Sequence, residues 1–456
     1  MFRYIIIALL LTVVSSNAQD HSKFIKGPFE KPQDITARCL ECHDVADEIM
    51  QTRHWKWRGN IIESGEYEGK TLGKNNFINN FCIAVTSNQP RCTSCHIGYG
   101  WKDESFDFTK AENIDCLICH EQTGDYVKVP TGAGMPADTV DLVAAAQSVG
   151  TPTRQNCGTC HFDGGGGTGV KHGDLDDSLY DPSPDLDVHM GGLGFHCEDC
   201  HSKNDHQILG ASHASIAEGK NHFTCENCHK GEVHDKDILN SHLKSVACET
   251  CHIPQFAKVE PTKTWWDWSK AGEDREVTVD KYGKETYSKK KGEFEWEKNV
   301  IPVYAWYDGS ADYYLPGDAI DGDVVKLNDL NGEIKDRNSK IYPFKIMRGK
   351  QPYDPVKNYI IIPNLFGENG YWKTFDWVSA SEIGMEQAGL EFSGEVDFIE
   401  TEMYWPLNHM IAPADEAVKC IECHGVKEGK RVNLKAMGYE EDPMKTGGRF
   451  ESGIIE

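Results

Sequence analysis

Residues 225–252 read CENCHKGEVHDKDILNSHLKSVACETCH. The stretch opens with Cys225-Glu-Asn-Cys228-His229 and closes with Cys248-Glu-Thr-Cys251-His252. Two thiols separated by two residues lie on one face of a single helical turn, where they can add across the two vinyl groups of one porphyrin. The adjacent histidine then falls beneath the iron as its proximal ligand. The same pattern recurs on both sides. It stands at Cys39/Cys42/His43, Cys92/Cys95/His96, Cys116/Cys119/His120, Cys157/Cys160/His161, Cys197/Cys200/His201 and Cys420/Cys423/His424. The repeats use every cysteine of the 17 except Cys82. A disulfide scaffold would not follow each pair with His, and a zinc reading leaves that histidine unexplained. Eight covalently bound haem c groups are expected.

Eleven of the 19 histidines remain for the far sides of the irons. The best placed are His54, His172, His189, His206, His213, His234, His242 and His409. His206 and His234 each follow a proximal histidine by five residues, too close to reach the far face of the same haem, so each is expected to serve a neighbour. His172 follows the glycine run GGGGTG, where backbone can approach a porphyrin closely. His196 and His222 abut attachment cysteines and are less suited. His21 is expected to be free. With so many candidates most irons are expected to be bis-His, low-spin and fitted to electron transfer.

Seven motifs crowd residues 39–252. So little chain per haem cannot build a conventional apolar core, and the porphyrins become the core. The expected fold is mainly α with extensive irregular structure, wrapped around packed haems, with a small β-containing, aromatic-rich insertion. Residues 1–18 read as a secretory leader: Arg3 is positive, Tyr4 to Val14 is apolar, and Ser16-Asn17-Ala18 suits cleavage after Ala18. An exported, periplasmic protein is implied, with no later membrane-spanning segment. Residues 19–252 form the seven-haem region, 253–408 the insertion, and 409–456 the eighth haem and tail. Within 253–408, DVVKLNDLNGEIKD predicts a β-hairpin turning at Asn331-Gly332. SEIGMEQAGLEFSGEVDFIETEMYWPLNHM has helical spacing up to Pro406. Its Trp and Tyr clusters suit packing, a pocket wall or a subunit contact, so an oligomer is compatible. Asp318, Asp321 and Asp323 could bind a structural calcium but read more readily as a solvated turn. The formal charge of −25, with 72 acidic against 47 basic residues, argues against nucleic acid.

The strings INNFCIAV, RCTSCHIGYGWKDESFDF, DCLICHEQTGDYVKVP, HFDGGGGTGVKHGDLD, WWDWSKAG, GKQPYDPV and FIETEMYWPLNHMIAP resemble the octahaem tetrathionate reductase family, kin of hydroxylamine oxidoreductases and multihaem nitrite reductases. The resemblance implies one unusual haem, that of the second motif, attached at Cys92 and Cys95 with His96 as proximal ligand and a lysine amine on its distal side. Lys128 matches that lysine, with Asp125 placed to orient the amine or pass a proton; Lys74 is the rival. An amine binds iron only when neutral, so such a pocket must lower its pKa. Cys82 reads as a small buried apolar residue or as a thiol of the substrate pocket. Arg91 and Lys102 flank the second motif and could attract an anion. The implied activity is reduction of tetrathionate, nitrite or hydroxylamine, with electrons from a redox partner. The competing reading is a non-catalytic conduit with all irons six-coordinate.

Overall fold

The computed structural model describes residues 20–59, 61–62, 67–164, 166–201, 206–210, 223–425 and 429–455. The leader at 1–18, with its cleavage point, and His213 lie outside the described residues. Up to residue 252 the described chain is short helical turns joined by loops, the longest helix being Pro32–Leu40. Single turns carry the motifs, as at Cys197–His201, Cys248–His252 and Cys420–Cys423. Residues three apart share a face of such a turn, which brings each pair of thiols side by side. The fourth motif sits on a longer helix, Arg154–His161. Its start is fixed by Asn156, whose side-chain oxygen accepts from the Thr153 backbone N–H at 2.8 Å. Among the described residues no helix is long and apolar enough to cross a membrane.

From residue 262 the period changes from helical to two. We label the main strands β1 (Thr262–Asp267), β2 (Gly292–Glu297), β3 (Val303–Tyr307), β4 (Val324–Lys326), β5 (Lys340–Asp354) and β6 (Asp397–Pro406). With two short strands at 287–288 and 359–360 they make an eight-stranded mixed sheet in which β5 is the spine. β5 pairs antiparallel with β6 from Tyr353↔Asp397 to Phe344↔Pro406, antiparallel with β3, and parallel with β1. Trp266, Trp268, Phe294, Met347, Met403 and Trp405 are buried in one cluster against this sheet. Burying each such side chain is worth roughly 1.5–3 kcal/mol. The indole of Trp268 also donates to the Phe81 carbonyl at 2.9 Å, so the cluster grips the chain that leads into the second motif.

Two local expectations change. The hairpin at Asn331-Gly332 does not form. β4 runs parallel to β6, Val324 opposite Glu400, while Asn328–Leu330 pairs antiparallel with Ala311–Tyr313. Val325 and Leu327 go into cores at 4% and 1% exposure, and that burial outweighs local pairing. The helix reading of 381–410 holds only for Trp377–Gln387, capped by Asp376, whose side chain accepts from Val378 and Ser379. After Gly389, at φ 68, the chain re-forms as β6, burying alternate residues Thr401, Met403 and Trp405. Asp318, Asp321 and Asp323 are exposed, as a solvated turn requires. No group of three or more His, Cys, Asp or Glu side chains suited to a metal occurs among the described residues, and Asp318 instead accepts from the Leu315 N–H at 2.7 Å.

Gly292 starts β2 at φ +89, and a Cβ there would lie 1.9 Å from the Asp267 carbonyl oxygen. Gly292→Ala is expected to destabilise the sheet by on the order of 2 kcal/mol or more, through strained φ and the clash. Urea unfolding followed by far-UV circular dichroism checks this as a lowered midpoint.

Candidate haem-binding and active site

Seven motif histidines face a second histidine. Ring centroids lie 6.3 Å apart for His43/His21, 6.4 for His120/His206, 6.0 for His161/His54 and 6.1 for His201/His409. They lie 6.0 Å apart for His229/His189, 6.4 for His252/His234 and 6.0 for His424/His242. Two imidazoles on opposite sides of one metal, each nitrogen ~2 Å from it, have ring centres ~6 Å apart. The spacing therefore fits an iron held between each pair. Several rings also have Nδ1 occupied. It donates to Gly150 O from His120 at 2.9 Å, to Leu209 O from His201 at 2.9 Å and to Ile238 O from His242 at 2.7 Å. His424 and His409 point Nδ1 at Asp442 and Asp174, at 2.7 and 3.2 Å. Fixing Nδ1 leaves Nε2 as the lone-pair donor toward a metal. Burial pushes His161 down to about 3 and also lowers His54, His120, His201 and His252, which keeps these rings in the neutral form a ligand needs.

Two histidines depart from expectation. His21, expected to be free, stands opposite His43. His172, expected opposite an iron, instead meets the Trp405 ring edge-on at 4.9 Å. The sequence carried no signal for the first, because a partner from the chain's start has no fixed spacing to its motif.

Thiols of different motifs come together in an order the sequence does not reveal. Cys39 neighbours Cys116, Cys95 neighbours Cys160, Cys157 neighbours Cys197, and Cys225 neighbours Cys248, each within hydrogen-bond reach. Cys119 lies by Cys157, Cys200 by Cys228 and Cys251 by Cys423, close enough to feel each other's charge. The motifs thus run first–third–fourth–fifth–sixth–seventh–eighth, and the second branches from the fourth. A cavity of about 1590 Å³ extends among the first five motifs.

The second motif is the exception. His96 has no histidine opposite it among the described residues. Its ring is fully buried in an aromatic box, with Trp101, Trp55 and Trp57 centred 4.8, 5.2 and 5.5 Å away and Phe106 and Phe108 at 5.7 and 6.2 Å. Nε2, the nitrogen an iron would need, lies 2.6 Å from the Trp55 carbonyl oxygen. Gly98 permits this packing, since a Cβ there would lie 2.8 Å from both the His96 and Trp55 rings. The structure therefore corrects the reading of His96 as a proximal ligand.

Lys128 is corrected too. Its amine forms a buried ion pair with Asp115 at 2.8 Å and donates to the His96 carbonyl at 2.6 Å. Asp115 also accepts from Tyr99 and Tyr126 hydroxyls at 2.9 and 3.0 Å. An amine so paired has no lone pair to offer a metal. Asp125 is exposed and takes no part; the carboxylate that orients Lys128 is Asp115, immediately before Cys116.

The lysine aimed at the second motif is Lys171. Its side chain is half-buried near Cys92, Cys95 and Cys82, and no hydrogen bond or ion pair holds its amine among the described residues. Burial, and next the charge of Lys74, lower its pKa. Lys345, fully buried on β5, fixes its backbone by donating to the carbonyls of Val170 and Lys171 at 3.0 and 2.6 Å and to Thr262 Oγ1 at 2.5 Å. Sequence reasoning stopped one residue short, at His172 of the same VKH string. Burial drives His172 down to about 4, so it is neutral near pH 7. Lys74, the rival lysine, stacks on Trp57 with Nζ 3.7 Å from the ring centre. Cys82 lines the cavity on a segment pinned by the sheet, where Asn80 donates to Met347 O at 2.6 Å and Gln351 to Asn79 O at 3.0 Å. Arg91 lines the cavity and donates to Pro130 O at 3.0 Å, whereas Lys102 is exposed.

Residues 263–427 match the family described as bacterial cytochrome c. No curated protein matches. A solved structure, an octahaem cytochrome c from Shewanella oneidensis, is 48% identical, with a TM-score of 0.87 over 94% of this chain and 98% of that one. The chain belongs to the octahaem cytochrome c group, the octahaem tetrathionate reductase family, and is a multihaem c-type cytochrome with covalent haem and a redox role.

His234→Ala is expected to leave His252 without its partner and to convert one low-spin haem signal to high-spin, the remainder staying unchanged. Electron paramagnetic resonance of the oxidised holoprotein checks this. An unaltered low-spin set would remove the pair from the ligand list.

Proposed function

We propose that this chain is an exported octahaem reductase, in which seven bis-His haems deliver electrons to a reducing site at the second motif. One observation carries the reading: that motif alone has its histidine boxed among aromatic rings with no second histidine opposite it among the described residues, beside a cavity lined by a half-buried lysine that no hydrogen bond or ion pair engages among those residues. Lys171 is the amine ligand in this reading, in place of Lys128. The burial that lowers its pKa also makes it a better ligand, since only the neutral amine has a lone pair.

The bound haems supply one-electron transfers that no side chain here could. The chain supplies the rest. Lys74 and Arg91 give the cavity a positive lining against the acidic exterior and so favour anions. His172, held neutral, lines the same cavity and can offer a hydrogen bond there. Cys82 offers a thiol at the same wall. Tetrathionate would take two electrons to give two thiosulfates, hydroxylamine two to ammonium, and nitrite six to ammonium. The branch position of the second motif, off the fourth, suits a site fed from the line without interrupting it. A redox partner would load the line from outside. The thioether chemistry and the leader at residues 1–18 together favour a periplasmic location.

Steady-state reduction of tetrathionate, nitrite and hydroxylamine by purified holoprotein, side by side, tests the reading and its substrate. Lys171→Gln is expected to lower kcat by on the order of 10²-fold or more, as loss of a group at the reacting centre does. Lys128→Gln is expected to act through stability, leaving Asp115 buried without its cation at a cost of about 3–5 kcal/mol. A wild-type spectrum with every iron six-coordinate, and no haem that takes an added ligand, would leave the chain a conduit.

A further inference from the structure

β1 carries a bulge. Its register on β2 passes from Lys263↔Trp296 to Trp265↔Glu295, so Thr264 is an extra residue with no partner of its own. Such an insertion re-aims the side chains around it. Lys263 and Trp266 would take opposite faces of a regular strand. Here they share one, with the Lys263 Nζ 4.2 Å from the Trp266 ring centre. The rings of Phe294 and Trp296 stand at 3.3 and 4.8 Å from the same amine.

Lys263 is only 5% exposed, and no carboxylate or hydrogen-bond acceptor holds its amine among the described residues. A buried ammonium without a counter-ion is costly. Ring faces return only part of that cost. Methionine would fill the same box at no electrostatic cost, so packing alone does not account for a lysine. Its surroundings suggest what does. Lys263, Lys291 and Trp266 line the cavity, and Lys263 lies close enough to Lys291 and Cys82 to feel the charge of each. Lys291 is tied to the spot because its carbonyl accepts from the Trp266 indole at 2.5 Å. Burial, then the nearby Lys291 charge, push the Lys263 pKa well down. A bound anion would relieve both effects at once.

We propose that Lys263 and Lys291 form an oxoanion subsite in the sheet-side wall of the cavity. It takes one sulfonate end of a dianionic sulfur oxoanion, and the thiosulfate dianion that this end becomes once two electrons break the central sulfur–sulfur bond, while that bond lies toward Cys82 and Lys171. The proposal rests on the reading of this cavity as a reducing site and adds the substrate class to it. Two cations in one wall suit a dianion better than a monoanion or a neutral molecule. The three rings fix the Lys263 amine in place, so little rotamer freedom is lost on binding.

Calorimetric titration of oxidised holoprotein with thiosulfate tests the subsite without turnover. Lys263→Met and Lys291→Met are each expected to raise the thiosulfate Kd about tenfold or more, and the tetrathionate KM more than they lower kcat. Lys291 is partly exposed, so its variant keeps the test open should Lys263→Met fold poorly. If wild-type protein binds thiosulfate and the variants do not, the subsite stands even where no substrate turns over. Tetrathionate reduction with the same thiosulfate Kd in wild type and both variants overturns the subsite and leaves the reductase reading intact. A changed haem potential with unchanged thiosulfate affinity would assign Lys263 to a propionate, and likewise overturns it. So does a wild type that binds no thiosulfate.

Discussion

Two imidazoles held about 6 Å apart are the constraint on which the haem region depends. Each such pair ties together segments that have little other reason to meet. His201 reaches across nearly half of the chain to His409, His161 back to His54, and His424 to His242. These histidine pairs would hold a metal between them, which would close the long loops and draw its binding free energy into folding. This accounts for helices of one or two turns serving where a conventional domain needs long amphipathic ones. The secondary structure has to present thiols and rings, while the groups bound between them supply the apolar interior.

The sheet answers a different need. A site for chemistry must be held more firmly than loops can hold it, and rigid elements do that. β5 fixes the carbonyl of Lys171 through Lys345, and β6 sets Trp405 against His172. Met347, Gln351 and Trp268 bind the segment from Asn79 to Phe81 that precedes Cys82. The lobe is thus the back wall of the cavity. Its two open-handed lysines, Lys171 below and Lys263 in the wall, contrast with Lys128 and Lys345, whose amines are fully engaged.

What could be read from the sequence follows from how local each signal is. An attachment motif is complete within five residues, so all eight are legible, as is the placing of His206 and His234 against histidines of other motifs. Hairpin chemistry at Asn331-Gly332 was also local, but the long-range pairing of β4 with β6 buries Val325 and wins. The stretch 397–406 fits helical and strand periods alike, and only the presence of β5 decides between them. Lys128 and Lys171 differ in nothing the sequence displays. Asp115, which takes the first out of consideration, belongs to a different segment, and its role is visible only once Tyr99 and Tyr126 close around it. The fate of His96 is equally non-local, since its box is assembled from residues on both sides of the motif.

The charge of the whole molecule bears on how the cavity works. An exterior at −25 repels anions, so an anionic substrate gains nothing from long-range steering and must be won over by short-range positive charge. Gathering amines in one low-dielectric cavity has its own penalty, because each disfavours protonation of the next, as Lys74 does for Lys171. An arriving anion reverses that penalty and draws protons onto the amines as it binds. Every reduction considered for this site except the splitting of tetrathionate consumes protons along with electrons. A cavity whose lysines charge only in company with an anion therefore gathers proton donors at the moment the electrons are needed, and leaves the site uncharged enough for an amine to hold iron when it is empty.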